Sequence, residues 1–481
     1  MENILMLAQM ALSSVLDTDS YKLSHWVQYP KKTTGMSSYF ESRGGKFDKT
    51  LFFGLQYLLI KYFSQPITID QVKEAAEFSE LHGCPFNYGG WMLIATDLKG
   101  KLPIRIRAIP EGTVIPNKNL LLDVKYTDER FFWVVSWFET MLVRLWYPII
   151  VATNSWYMKQ DIRKYLELSS DDPEGEIAFK LHDFGSRGVT CQEQAMIGGA
   201  AHLVNFLGSD TIAGIWMANK FYNEQMSAFS IPASEHSTMT MWGKDNEVEA
   251  YRNMIKKYGD KALFACVSDS WDIFNACENL WGGKLKQEVI GMNAMLVCRP
   301  DSGDPDEVVN QMLHIFENKF GAEPNRKGYK VLNHVRVIQG DGIGRPDVNT
   351  ILKRTTEDGF SATNTNFGMG GGLLQTDLNR DTNKFAFKCS WAEIDGKSVP
   401  VYKDPVTDTV KKSKKGLMDV VRMGNGLIRT VPQSAGYPNS ILRTVYENGE
   451  ILVLDTLADI RKRSNQAPYE QHIGWVERDV Y

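Results

Sequence analysis

The sequence predicts an α/β fold: a curled, largely parallel sheet that carries the chemistry, flanked by a second, β-rich domain. Three observations lead there. From about residue 150, a short apolar run, a polar or glycine-rich loop and a helical pattern recur in that order five or more times. Both chain ends instead alternate apolar and polar residues between turn signals. At 481 residues the chain is also long for one core, so two domains are expected. The division expected is a β-rich domain from residues 1–150 and 385–481, and an α/β barrel over 151–384.

The repeating units run as follows. "EIAFKLHDFGSRG" alternates and then breaks at its loop, and "TCQEQAMIGGAAHLVNF" follows, with Thr190 and Glu193 at the spacing of a capping box. "ALFACVSDS" leads into "WDIFNACENLWGG". "AMLVCRPDSGDP" leads into "DEVVNQMLHIFENKF", where Val308, Met312, Ile315 and Phe316 form one helical stripe. "VRVIQGDG" precedes "RPDVNTILKRTTEDGF", and "NTNFGMGGGLLQ" closes the series. In the flanks, "LPIRIRAIPEGTVIPNKNLLLDVKYTD" and "KSVPVYKDPVTDTV" read as antiparallel strands, and "ILRTVYENGEILVLDTL" reads as a hairpin turning at "ENGE".

Bulk composition narrows the function. Hydrophobic content of 43% with 23% charged residues is that of a soluble globular protein. A net charge of −4 argues against a nucleic-acid binder, while leaving room for a local basic pocket. The apolar stretch Ile4 to Leu16 follows Glu2 and is interrupted by Gln9, so it reads as an amphipathic helix rather than a secretory signal. No window approaches a membrane span. Six scattered cysteines without a Cys-x-x-Cys pair read as reduced thiols in a cytoplasmic protein.

In a barrel of this kind the loops after the strands hold the site. Those loops are "HDFGSRG", "VSDS", "RPDSGDP", "QGDG" and "GMGGG". Gly370 to Gly372 let backbone amides approach a phosphate, although a glycine turn without ligand is at least as common. Arg299 offers a planar fork of donors, and Asp301 a hard oxygen for Mg²⁺ or ribose; an Arg–Asp pair capping a strand fits equally well. Asp341 and Asp269 repeat the acidic theme. Phe184 offers a flat surface and Arg187 a nearby cation, although a lone Phe after a strand is more often core. Lys411, Lys412, Lys414 and Lys415 form a basic run, ordinarily a solvated loop. In "IPASEHSTMT", His236 stands alone among hydroxyls, one of only eight histidines.

Taken in order, "DTDSYKLSHWVQYP", "SYFESRG", "FFGLQYLLIKYF", "WYPIIVATNS", "KLHDFGSRGV", "AHLVNFLGSDT", "IPASEHST", "CVSDSWDIFNACE", "RPDSGDP", "RVIQGDG", "FGMGGGLLQ", "FKCS" and "SKKG" resemble the nicotinamide phosphoribosyltransferases over nearly the whole chain. The resemblance implies an irregular (β/α) barrel of the type II phosphoribosyltransferase kind. It also implies an enzyme that joins nicotinamide to phosphoribosyl pyrophosphate, releasing nicotinamide mononucleotide and pyrophosphate. Phe184, with Tyr21 of a partner subunit, would sandwich the pyridine ring, with Arg187 beside it. Asp210 would accept from the carboxamide NH₂ and repel nicotinate. Arg299, Gly340, Gly370 and Gly371 would hold the ribose 5′-phosphate; Asp301 and Asp341 would bind ribose hydroxyls or Mg²⁺. Arg43, Arg380, Lys388 and Lys415 would hold pyrophosphate or ATP phosphates, partly across a homodimer interface. His236 would be phosphorylated by ATP as coupled co-substrate, since a neutral imidazole is a good nucleophile near pH 7. Glu235 and Asp269 are both candidates to orient it.

The chain departs from the family pattern at Ser186, where a Tyr is expected, and in one extra residue before Arg380. Three other readings are weighed. A nicotinate-using enzyme on this fold is opposed by Asp210. A non-catalytic binding protein would show degraded loops. An aldolase-like barrel would need a lysine at a strand end, and no loop of the series has one.

Overall fold

The structure is a computed structural model that describes residues 12–407, 412–424 and 426–466. The chain separates into two compact units, 1–153 with 379–481 and 154–378; the first division falls inside the long helix Trp146–Ser169. Most of the expected N-terminal helix over 4–16 lies outside the described residues, as does Lys411. The described end of that segment is a turn closed onto the Ser13 carbonyl.

The first unit is built on a seven-stranded antiparallel sheet in the order Lys397–Pro400, Phe385–Ile394, Thr33–Ser42, Leu120–Tyr126, Ile104–Ala108, Arg443–Glu447, Glu450–Ile451. N-terminal strands form the centre and C-terminal strands add to both edges. "IRIRA" alternates because one face is buried, its isoleucines inward and Arg105 outward. The "ENGE" hairpin forms because Asn448 and Gly449 both adopt positive φ, 50° and 85°, as a tight two-residue turn requires.

The second unit is a parallel sheet whose hydrogen-bonded order is Gly208–Ser209, Leu181–Asp183, Thr365–Met369, Val335–Gln339, Met295–Arg299, Leu263–Val267. Two bridges close it into a ring: Phe229 pairs with Gly208 and Ala233 with Ala265. The segment carrying "FSIPASEH" therefore seals the barrel between its second strand and Leu263–Val267. Read around the ring, the elements follow chain order. "LFACV" and "MLVCR" are nearly continuous apolar runs because the barrel interior covers one face and helices cover the other. Ala265, Val297 and Ile338 fill the interior, with Ile231, Leu263 and Phe184 packed against them.

Two helix starts show a local cause. Asp304 accepts from the Asp306 and Glu307 amides and Pro305 occupies the first turn, so the last part of "RPDSGDP" launches helix Pro305–Phe320. On that helix Val308, Met312 and Phe316 are buried and Ile315 is half-buried. The expected Thr190–Glu193 capping box is corrected. The helix begins at Gln192, and both the amide and the hydroxyl of Thr190 donate to Gln194 Oε1, at 3.0 and 2.7 Å. The start lies one residue later than a Thr190 cap would need, which brings Gln194 rather than Glu193 into reach. All six cysteines are free; Cys266, Cys277 and Cys298 are buried and Cys191 is exposed. Among the described residues no helix is long and apolar enough to cross a membrane.

Candidate active site

The loops at the C-terminal ends of the barrel strands bring most of the predicted residues of the second unit together. Phe184 follows Leu181–Asp183, and its amide donates to the Met369 carbonyl at 3.0 Å. Glycines make room for its ring: a Cβ on Gly368 would lie 1.8 Å from it, and one on Gly340 would lie 3.1 Å away. The Arg299 guanidinium sits 5.7 Å from the ring centroid. Phe184 is thus half-buried, packed on the barrel core with a cation over its ring. Arg187 is exposed on the turn Ser186–Gly188, next to the equally exposed Ser186.

Asp210 follows Gly208–Ser209 and is exposed, its Oδ1 accepting from the Ser230 hydroxyl. That hydroxyl comes from the closing segment, so the same irregular stretch that seals the barrel also orients the acid.

His236 begins the short helix His236–Thr240. Its Nε2 lies 3.0 Å from Asp269 Oδ1, and its Nδ1 lies 3.7 Å from Asp301 Oδ2. Asp269 is held in turn by the Ser302 hydroxyl. Its side chain is only 5% exposed, against 45% for the imidazole, so the carboxylate is anchored and the ring reaches out. Glu235 faces elsewhere: it accepts from Ser237 and caps the helix. Of the two carboxylates left open by the sequence, the geometry selects Asp269.

Arg299 pairs with Asp301 and still keeps its Nε buried without a hydrogen-bond partner among the described residues. A buried, unmatched guanidinium nitrogen is unfavourable unless something anionic arrives. Gly340 passes close to that Nε, a Cβ there lying 3.5 Å from it. Asp341 is exposed on the next loop. Gly370 precedes the short helix Gly371–Leu374, and Gly188 of the "HDFGSRG" loop approaches Gly371, where a Cβ would lie 3.5 Å away. Among the described residues no group of three or more His, Cys, Asp or Glu side chains is arranged to hold a metal ion.

The remaining predicted residues lie in the first unit. Arg43 is bonded to Glu41 at 2.9 Å and leaves one buried guanidinium nitrogen without a hydrogen-bond partner among the described residues. Glu41 is itself buried and also pairs with Lys414, which is completely buried. The two lysines of "SKKG" therefore sit in different surroundings. Lys414 belongs to the core, whereas half-buried Lys415 lies 5.0 Å from the Tyr402 ring. Lys388 lies opposite Tyr39 in the sheet, and burial lowers its pKa, with the nearby Arg43, Lys403 and Lys22 adding to this and Glu139 opposing it. Arg380 is exposed and, among the described residues, paired only with its neighbour Asp381. Exposed Tyr21 packs edge-on to His25 at 4.8 Å.

Glu139, which no motif flags, is the hub of this group. It pairs with buried Lys22 and lies 3.8 Å from Lys388. It has no local signal because its partners are distant in sequence. Ser302, by contrast, lies within "RPDSGDP" and is legible once Asp269 is placed.

The family model described as the nicotinate phosphoribosyltransferase (NAPRTase) family matches residues 179–450, and that of the nicotinamide phosphoribosyltransferase N-terminal domain matches residues 13–106. A nicotinamide phosphoribosyltransferase of Xanthomonas campestris pv. campestris is 49% identical over 460 residues, covering 94% of this chain and 98% of that protein. The chain belongs to the nicotinamide phosphoribosyltransferase family. Another nicotinamide phosphoribosyltransferase, from Acinetobacter baylyi, is 31% identical, covering 93% of this chain and 96% of its own. Among solved structures, nicotinate-nucleotide pyrophosphorylase from Pyrococcus furiosus superposes with a TM-score of 0.60 at 15% identity, covering 95% of this chain and 97% of its own. Human nicotinic acid phosphoribosyltransferase gives 0.54 at 15% identity, covering 93% of each chain. These two show the fold: a curled parallel barrel sheet and a separate β-rich unit.

Proposed function

We propose that this protein transfers the 5-phosphoribosyl group from phosphoribosyl pyrophosphate to nicotinamide, giving nicotinamide mononucleotide and pyrophosphate for NAD salvage. The observation that carries the reading is one end of one barrel. There, an aromatic ring, an exposed carboxylate and an arginine with an unmatched buried nitrogen are gathered, in a chain 49% identical to a nicotinamide phosphoribosyltransferase. Phe184 stacks on the pyridine, and Asp210 accepts from the carboxamide NH₂ while Ser230 holds its other oxygen in place. Arg299, with the backbone of Gly340, Gly370 and Gly371, takes the 5′-phosphate.

The pyridine nitrogen then attacks ribose C1 as the C1–O bond to pyrophosphate breaks. Positive charge builds on the ribose and negative charge on the leaving group, so catalysis rests on positioning and electrostatics. Arg43, Lys388, Lys415 and Arg380 receive the pyrophosphate or ATP phosphates, and Glu139 sets the spacing of Lys22 and Lys388. Asp301 and Asp341 would help hold a Mg²⁺ ion, which would supply charge neutralisation for the leaving pyrophosphate.

His236 is the phosphate acceptor in this reading. With Nε2–H donated to Asp269, Nδ1 presents its lone pair to the γ-phosphorus of ATP, and ADP leaves. The sites are completed in a cytoplasmic homodimer, with Tyr21 contributed by the second copy.

Two measurements test this. Purified protein with phosphoribosyl pyrophosphate should form mononucleotide from nicotinamide in preference to nicotinate, and a preference for nicotinate overturns the assignment. Mixing Tyr21→Ala chains with Phe184→Ala chains should restore part of the activity that each lacks alone; no rescue removes the shared site.

A further inference from the structure

Asp183 ends the first barrel strand and has no exposed surface. Its Oδ1 accepts the Gly185 amide at 2.7 Å and its carbonyl accepts the Asp210 amide at 2.9 Å, with Phe184 between. It thus ties together the aromatic and the acidic walls of the candidate ring pocket. Its Oδ2 and the nearby Thr211 hydroxyl are both buried, and among the described residues neither has a hydrogen-bond partner of good geometry.

Holding that turn does not require a charge. An asparagine or serine makes the same bond to Gly185 without burying an ionisable group, which is unfavourable when its acceptors are unmatched. Titratable groups with strongly displaced environments concentrate where charge is used.

We infer that Asp183 is a second specificity-determining carboxylate of this site, acting with Asp210 to repel an anionic ring substituent and so favour nicotinamide over nicotinate. This rests on the reading of Asp210 as the residue that meets the carboxamide. Around Asp183, the titratable and charged residues are His182 and Asp210, Arg187 in the following turn, Glu193 and His202 on helix Gln192–His202, and Lys220 at the far end of helix Ile212–Tyr222. The neighbouring strands Gly208–Ser209 and Thr365–Met369 contain none. Burial raises the Asp183 carboxyl to about 6, with the Gly185 amide and the nearby Thr211 hydroxyl opposing and the Asp210 charge adding to it. Asp183 is then mostly negative at neutral pH and, being buried, is poorly screened. As pH falls through 6, Asp183 takes up a proton and the repulsion eases.

The test compares kcat/KM for nicotinamide and nicotinate from about pH 5.5 to 8, where nicotinate stays an anion, in wild type and Asp183→Asn. Wild type should lose about fivefold of its amide preference on acidification, whereas Asp183→Asn should start about five- to tenfold lower and stay flat. An Asp183→Asn ratio equal to wild type across this range overturns the inference, and so does a pH slope that persists in the variant. Asp183→Ser, which keeps an acceptor for Gly185, provides the same comparison if the asparagine protein does not fold. Should wild type show no nicotinamide turnover, the functional reading itself fails. If Asp210→Asn relaxes selectivity and neither Asp183 variant does, only this inference fails.

Discussion

An Asp210→Asn or Asp210→Ser enzyme is expected to use nicotinate about 10- to 100-fold better relative to nicotinamide than wild type does, because a hydrogen bond to a charged group contributes about 1.5–3 kcal/mol. The wild-type carboxylate is oriented by Ser230 from the barrel-closing segment, so it is a fixed acceptor rather than a mobile surface acid. It can accept from an amide NH₂ and has no proton to donate to a substrate carboxylate. Asparagine keeps the shape and offers a donor. Most of the change should fall on the KM values, since the contact is made in the ground state as well as in the transition state. Paired steady-state measurements on both substrates decide the matter, and unchanged discrimination removes Asp210 from its proposed role.

His236→Ala should abolish stimulation by ATP while leaving slow ATP-independent mononucleotide synthesis. The ring lies between Asp269 and Asp301, with Arg299 on the second of these, so it sits beside the sugar-phosphate residues without being needed to bind sugar. Loss of the imidazole removes the phosphate acceptor and leaves Phe184, Asp210 and Arg299 in place. Asp269→Asn is the companion variant. An amide can donate to Nε2 and so stabilise the tautomer that carries the proton on Nδ1, and coupling should fall by about 10²-fold or more. Assays of product formed per ATP consumed test both, and full coupling in His236→Ala refutes the phosphohistidine assignment.

Much of the barrel was legible because its middle strands are five-residue stretches, two of them nearly continuous apolar runs, each ending in a loop of unusual composition. "LFACV", "MLVCR", "VRVIQ" and "TNFGM" all became strands. The second barrel strand was not legible: Gly208–Ser209 is two residues long and has no period. Nor was the closing segment, where Phe229 and Ala233 each make a single bridge. In the flanks the alternation and the "ENGE" turn were readable. That strands from the two chain ends pair in one sheet, Thr33–Ser42 with Phe385–Ile394, was expected only as a grouping, and its register depends on partners over 300 residues apart.

The site divides along the same line. Residue types and their order around the loops were written in the chain: Phe184, Asp210, His236, Asp269, Arg299, Asp301, Asp341 and the glycines. Glycine positions could be named, but the need for glycine at Gly368 arises from the Phe184 ring that crosses it, which no local pattern reveals. Three-dimensional packing alone decided that Asp269 and not Glu235 meets His236, that Lys414 is buried against Glu41 while Lys415 is not, and that Glu139 gathers Lys22 and Lys388. The physical reason is common to all three. Propensity and period are properties of neighbouring residues, whereas the partner of a charged side chain is set by which distant loops the closed barrel and sheet bring within about 3–4 Å of it.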